Sequence, residues 1–151
     1  MTDALPPGCT LRRARKSDIW TIRRLVFSEK LDPTQLDWRQ FWAIESEGEI
    51  IACAQLRSID RVRELGSLVV VPSWRDRGLG SYLVRHLVEG TSEAIYLECM
   101  GYLAPFYARL GFVEIGWRSL PKPLKVKFGL GQFASRFLPI EVKIMQYIHR
   151  E

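Results

Sequence analysis

Short runs of alternating apolar and polar residues fill the first third of the chain. They give way to helical spacing in the middle and return near the end. Thr10 to Ala14 reads as a first strand, with Lys16-Ser17-Asp18 as the turn after it. Asp18 suits the N-cap of a helix whose Ile19, Ile22, Leu25 and Val26 share one face at a 3.6-residue period. Pro33 interrupts the pattern after Leu31, and Trp38 to Phe41 reads as a short helix or turn. Trp42–Glu45 and Glu49–Leu56 form a hairpin pattern across Ser46-Glu47-Gly48. Glu64 to Val71 is the most β-like stretch and stops at Pro72, where a strand can end but hardly continue.

Leu79, Tyr82, Leu83, Leu87 and Val88 then fall at helical spacing, and Gly90 suits the helix end. Ala94–Cys99 reads as a strand, Ala104–Leu110 as a brief helix stopped by Gly111, and Phe112–Trp117 and Ile140–Ile148 as the last strands. Between these two, Ser119 to Pro139 has three prolines, two glycines and no clear period, so it reads as a long connection. Its interleaved Leu124, Val126, Phe128, Leu130 and Phe133 are expected to pack on something, as a flap over a substrate, a sheet-edge cover or a dimer contact. The order predicts a mixed α/β (α+β) domain, with antiparallel hairpins first and a strand–helix–strand unit in the middle.

Composition narrows this picture. The 151 residues suit one domain, 1–151, and 47% hydrophobic with 26% charged residues excludes disorder, collagen and coiled coil. No apolar run is long enough to cross a bilayer, and the N-terminus lacks a basic-then-apolar leader pattern. Cys9, Cys53 and Cys99 are widely spaced and odd in number, which argues for reduced thiols and a cytoplasmic location. With His86 and His149 as the only histidines, no metal site is expected. The net charge of +5 is matched by residues 115–151 alone, where seven basic residues face two acids; Arg12, Arg13, Arg15 and Lys16 form a second cluster. Such clusters are either solvated surface or a footprint for a polyanion.

The chemistry concentrates where the Val-rich strand ends. Val69-Val70-Val71-Pro72 runs into Ser73-Trp74-Arg75-Asp76-Arg77-Gly78-Leu79-Gly80-Ser81, and a helix begins at once. Glycines let backbone N–H groups approach a ligand, and a helix N-terminus favours an anion there. The stretch is neither a Walker A loop nor G-x-G-x-x-G, because position 83 is Leu.

Arg-x-x-Gly-x-Gly after such a strand resembles the acyl-CoA signature of the GNAT N-acetyltransferases. Pro105-Phe106-Tyr107-Ala108-Arg109-Leu110-Gly111-Phe112 resembles that family's second hallmark, and the two occur in the family's order. The resemblance implies the GNAT-like acyl-CoA N-acyltransferase fold. That fold is a mostly antiparallel sheet of six to seven strands flanked by helices, with a splayed central strand pair. It implies that the backbone of Leu68, Val69 and Val70 binds the pantetheine arm of acetyl-CoA. It further implies that Arg75, Asp76, Arg77, Gly78, Leu79, Gly80 and Ser81 wrap the pyrophosphate.

Tyr107 aligns with the family's tyrosine beside the CoA sulfur. A phenol, protonated at neutral pH, can supply the proton for the leaving thiolate. Glu64 and Glu98 each match a glutamate that serves as base in some members. Glu64 is preferred because it leads into the splayed segment. Both can equally be strand-end ion-pair partners. Cys99 has no nearby histidine in sequence and reads as an inert buried thiol. Met100-Gly101-Tyr102 stands where many relatives carry a cofactor-binding asparagine, so that contact is not carried over.

The implied activity is transfer of acetyl from acetyl-CoA directly to a primary amine in a ternary complex. A non-catalytic acyl-CoA-binding module and a basic nucleic-acid-binding domain are the alternatives. No nucleic-acid motif accompanies the charge, so nucleic acid is the weaker partner, and no membrane partner is expected. A basic 119–139 segment near the acceptor side disfavours polyamine and aminoglycoside acceptors, or instead attracts the phosphates of CoA. Acceptor identity and a homodimer are left open.

Overall fold

The computed structural model describes residues 4–31 and 35–149, which leaves the expectation at Pro33 outside the described residues. Seven strands are hydrogen-bonded in the order β1-β2-β3-β4-β5-β7-β6. The chain divides into two compact units, Met1–Arg57 with Leu65–Gly90, and Ser58–Glu64 with Thr91–Glu151.

In the first unit, β1 (Cys9–Arg13) pairs antiparallel with β2 (Phe41–Ser46), which pairs antiparallel with β3 (Glu49–Ile59). Glu47 and Gly48 both have positive φ, 51° and 79°, as a two-residue hairpin twisted like its strands requires. The helix expected after Asp18 is α1 (Ile19–Ser28). It buries Ile22, Leu25 and Val26 against Ala14, Phe41, Cys53 and Val69. Asp18 stands at the N-cap position but does not cap α1. Its carboxylate instead accepts from the Arg15 N–H at 2.6 Å and from the Arg12 guanidinium at 2.8 Å. Arg12 also donates to Glu45 at 2.8 Å, and Arg13 lies over the Trp42 ring. Half of the N-terminal basic cluster is therefore spent inside the unit.

β3 and β4 (Val62–Val70) run longer than the sequence pattern indicates and meet across Asp60-Arg61. Within β4, Ser67 has a φ of 55°, an uncommon conformation for a strand residue with a side chain. The buried Arg57 donates to its hydroxyl at 3.3 Å, and the same guanidinium lies where a side chain at Gly66 would start, 2.7 Å from the Cβ position. α2 (Leu79–Glu89) follows and buries Leu79, Leu83, Val84, Leu87 and Val88, close to the period read in the sequence.

In the second unit, the start of β4 pairs in parallel with β5 (Ala94–Met100) over three residue pairs that close at Glu64 opposite Tyr96. β7 (Val142–Tyr147) lies antiparallel between β5 and β6 (Phe112–Ile115). α3 (Ala104–Ala108) ends before Gly111, whose φ of 99° turns the chain into β6.

The expected loop at 119–139 is overturned. Lys122–Ser135 is a fourteen-residue helix, α4. Leu124 and Phe128, one turn apart, are buried with Leu120 against Tyr96 and Ile144. Burying two such side chains contributes about 1.5–3 kcal/mol each, which outweighs the roughly 1 kcal/mol that each interior glycine costs. The helical period is hidden in the sequence because glycines stand where side chains would meet neighbours: a Cβ at Gly131 would lie 2.6 Å from Glu98 on the inward face, and one at Gly129 3.1 Å from the Trp117 indole nitrogen. Val126, Leu130 and Phe133, expected to pack, point to solvent.

Substituting Gly111 tests the turn between α3 and β6. An alanine there has to adopt positive φ with its Cβ 2.9 Å from the Tyr147 ring. Gly111→Ala is expected to lower stability by about 1–2 kcal/mol in chemical denaturation.

Candidate functional site

The turn that leads into α2 lies in the first unit. Its geometry follows from two left-handed residues, Asp76 at φ 63° and Gly78 at φ 81°, between the short 3-10 turn Pro72–Trp74 and the helix. Gly78 occupies the N-cap, has no side chain to accept from the first turn, and has nothing within 4 Å of where a Cβ would be. The first turn holds no acid. The N–H groups of Leu79, Gly80 and Ser81 belong to the helix positions that lack intrahelical acceptors, so this end of α2 carries a partial positive charge toward solvent. Arg75 is held back against the turn: its Nε donates to the Val70 carbonyl at 3.2 Å and its Nη2 to Glu29 at 2.5 Å. Arg77 stacks on Trp74. Leu79 is buried, while Leu68 and Val70 are half-buried on either side of buried Val69.

The three residues singled out for chemistry all lie in the second unit. Glu64 and Tyr96 are opposite each other in the parallel register, and Glu98 lies two residues past Tyr96, so both carboxylates project from the same face of the sheet. α4 covers that face. Lys127 donates to Glu64 Oε1 at 2.6 Å, with the Glu64 side chain 6% exposed. Glu98 has no such partner: its Oε2 is buried and accepts no hydrogen bond. Burial raises the Glu98 pKa to about 7; the Glu64 charge adds to the rise and Lys127 opposes it.

Glu64 is the preferred base on sequence grounds. In the structure Glu64 is bound by a cation, while burial raises the Glu98 pKa to about 7. The sequence pattern places neither Lys127 nor Gly131 beside these carboxylates, where the structure puts them. The signal for them is the spacing Leu124, Lys127, Phe128, Gly131, which places all four on one helix face.

Tyr107 is buried on α3 between Phe106 and Phe112, with ring centroids 5.0 and 5.7 Å away. Burial raises its pKa well above the ordinary phenol value, with Cys99 contributing, so the hydroxyl keeps its proton. Cys99 is buried with its Sγ 4.0 Å from the Met145 sulfur. Burial, with the nearby Glu98 and Glu114, pushes its pKa up to about 11, which leaves almost no thiolate at neutral pH. At the site of the absent asparagine, Gly101 donates its N–H to the Glu141 carbonyl at 2.8 Å. Of the C-terminal basic residues, Lys125 lies over Trp117, Lys127 pairs with Glu64, and Lys143 bridges Glu114 and Glu141. No helix among the described residues is long and apolar enough to cross a membrane.

Comparison with known proteins bears on the family and the fold. The Acetyltransferase (GNAT) domain family matches residues 37–114, just over half of the chain. A probable glucosamine 6-phosphate N-acetyltransferase 2 of Oryza sativa subsp. japonica is 42% identical over 65 residues, 40% of this chain and 39% of that protein. An amino-acid acetyltransferase of Shewanella oneidensis is 33% identical over 89 residues, 52% of this chain and 20% of its own length. The chain thus spans less than two fifths of each of these relatives. N-acetylglutamate synthase from Neisseria gonorrhoeae, solved with coenzyme A and L-arginine, superposes with a TM-score of 0.77 at 20% identity over 96% of this chain and 34% of that one. Rv2747 from Mycobacterium tuberculosis, solved in complex with CoA, gives 0.73 at 21% identity over 93% and 99%. At these identities the likeness is one of fold: a mixed seven-stranded sheet with helices.

Thiol labelling checks the environment of Cys99 directly. Cys53 and Cys99 are buried and Cys9 is partly exposed. In the native protein at pH 8, iodoacetamide is expected to add one label by mass spectrometry, at Cys9, and three after unfolding.

Proposed function

Because this chain belongs to the GNAT acetyltransferase family, we propose that it transfers the acetyl group of acetyl-CoA to the primary amine of a small acceptor that carries an anionic group. The observation that carries this reading is Glu98, a half-buried carboxyl with one unpartnered oxygen and a pKa near 7. An acceptor amine arrives protonated at neutral pH and attacks only after losing that proton. A base that titrates near the working pH is matched to the task. Acetyl-CoA supplies the thioester, a good acyl donor. The uncapped start of α2 and the open space at Gly78 suit its pyrophosphate. The backbone of Leu68, Val69 and Val70 is assigned to its pantetheine arm. Arg75 and Arg77 add positive charge at the turn, with Arg75 fixed by Glu29 rather than free to swing. Tyr107, kept protonated by burial, gives its proton to the departing sulfur. Glu64 is assigned to electrostatics rather than to proton transfer.

Two observations support an anionic acceptor. Five basic residues and no acid lie between Glu114 and Glu141. The names of both curated relatives point to amines that carry an anionic group, a sugar phosphate in one and an amino acid in the other. A polycationic amine gains nothing from such a surface.

Three measurements test the reading. Thioester consumption is expected with glucosamine 6-phosphate or acidic amino acids, and not with spermidine; turnover restricted to polyamines contradicts the acceptor class. Tyr107→Phe keeps the packing and removes the proton, so kcat is expected to fall by about 10²–10⁴-fold with acetyl-CoA affinity little changed. Since the base works deprotonated, kcat/KM is expected to rise with pH through a midpoint near 7, and Glu98→Gln to abolish that limb.

A further inference from the structure

We propose that α4 sets how tightly Glu98 holds its proton: Lys127 engages Glu64 in an ion pair, and Gly131 leaves Glu98 without a donor. Lys127 and Gly131 are then positioning residues for the proton on Glu98.

A carboxyl that shares a sheet face with another carboxylate, in a partly dry place, holds its proton more tightly than a lone one. The sequence makes them equivalent: both lie on neighbouring strands and on one face. α4 breaks the equivalence. Lys127 reaches Glu64 at 2.6 Å. One turn later the helix offers Glu98 only a glycine, whose missing Cβ would stand 2.6 Å from Oε1 and 2.8 Å from Oε2. Leu124 and Phe128, on the same helix face and buried in the core below, fix the helix at that height. Glu98 is thus covered by backbone, shielded from water on its Oε2, and given no donor there.

The remaining charges around Glu98 do not change the outcome. On β7, Ile144 lies opposite Glu98, and Lys143 lies opposite Cys99 on the other face, occupied by Glu114 and Glu141. On β5, neighbouring Cys99 stays a neutral thiol at neutral pH. Glu64 and Lys127 are the two charges that act on Glu98, with opposite signs.

The test is the titration of Glu98 in substrate-free protein, followed by carboxyl carbon NMR with glutamate labelling and assigned by Glu98→Gln. Lys127→Met is expected to move the upper carboxyl titration alkaline, and Lys127→Arg to restore it. Glu64→Gln removes the like charge and is expected to move Glu98 toward acid. Each shift is about 1 pH unit. Gly131→Ala, a change that favours helix, drives the Glu98 carboxylate outward and moves its titration toward the ordinary glutamate value while the protein stays folded. Unchanged titration in both Lys127→Met and Gly131→Ala overturns the proposal, as does a shift of the same sign in Lys127→Met and Glu64→Gln. The link to rate rests on Glu98 being the base. If the titrations move as stated while the acidic limb of kcat/KM stays fixed, the assignment of the base fails and the charge partition stands.

Discussion

Two acidic side chains projecting from one face of a sheet repel each other, and covering them makes the repulsion stronger. The second unit solves this with one cation and one absence. Lys127 neutralises Glu64, and Gly131 lets backbone come down over Glu98 without a side chain between. Together with the burial of Leu124 and Phe128, those two contacts fit α4 to the sheet. Leu124 and Phe128 are buried, and Val126, Leu130 and Phe133 are left in water. Replacing this ion pair by apolar residues could give as stable a unit, because buried pairs seldom outperform hydrophobic ones. What the pair provides is a fixed distribution of charge.

The first unit depends on a different constraint, one of backbone conformation. Ser67 and Asp76, both left-handed, bracket the assigned pantetheine-binding backbone, and Gly78 opens α2 in the same conformation. Such residues persist only where neighbours hold them. Arg57 holds Ser67 and Glu29 holds Arg75 beside Asp76. The contacts of Arg57 and Glu29 fix the chain here.

Much of this was legible in the residues. The hairpin, α2, the strand after it and the short helix with Tyr107 follow from apolar period and from the glycines at their ends. The motif around Gly78 and Gly80 pointed to the right family. Three things were not legible. Asp18 has the identity of a cap, but Arg12 and Arg15, brought together by the turn, claim its carboxylate. α4 contains two glycines and follows a proline, so local propensity argued against a helix that only tertiary burial supports. The ion pair of Glu64 joins it to a lysine 63 residues away in sequence, a separation no local pattern encodes.

The strand order carries a consequence of its own. β7 is the last of the seven strands to be made, yet it sits between β5 and β6 rather than at an edge. During synthesis β5 presents an unpaired side and β6 has no neighbour until Val142–Tyr147 has emerged, some thirty residues of chain later for β6. α4 is drawn down onto a surface that includes Ile144, so it too lacks its full seat until then. The second unit therefore closes late and from its C-terminal strand inward. A nascent chain shielded by a holdase until Tyr147 has cleared the ribosome would be protected at its most adhesive moment.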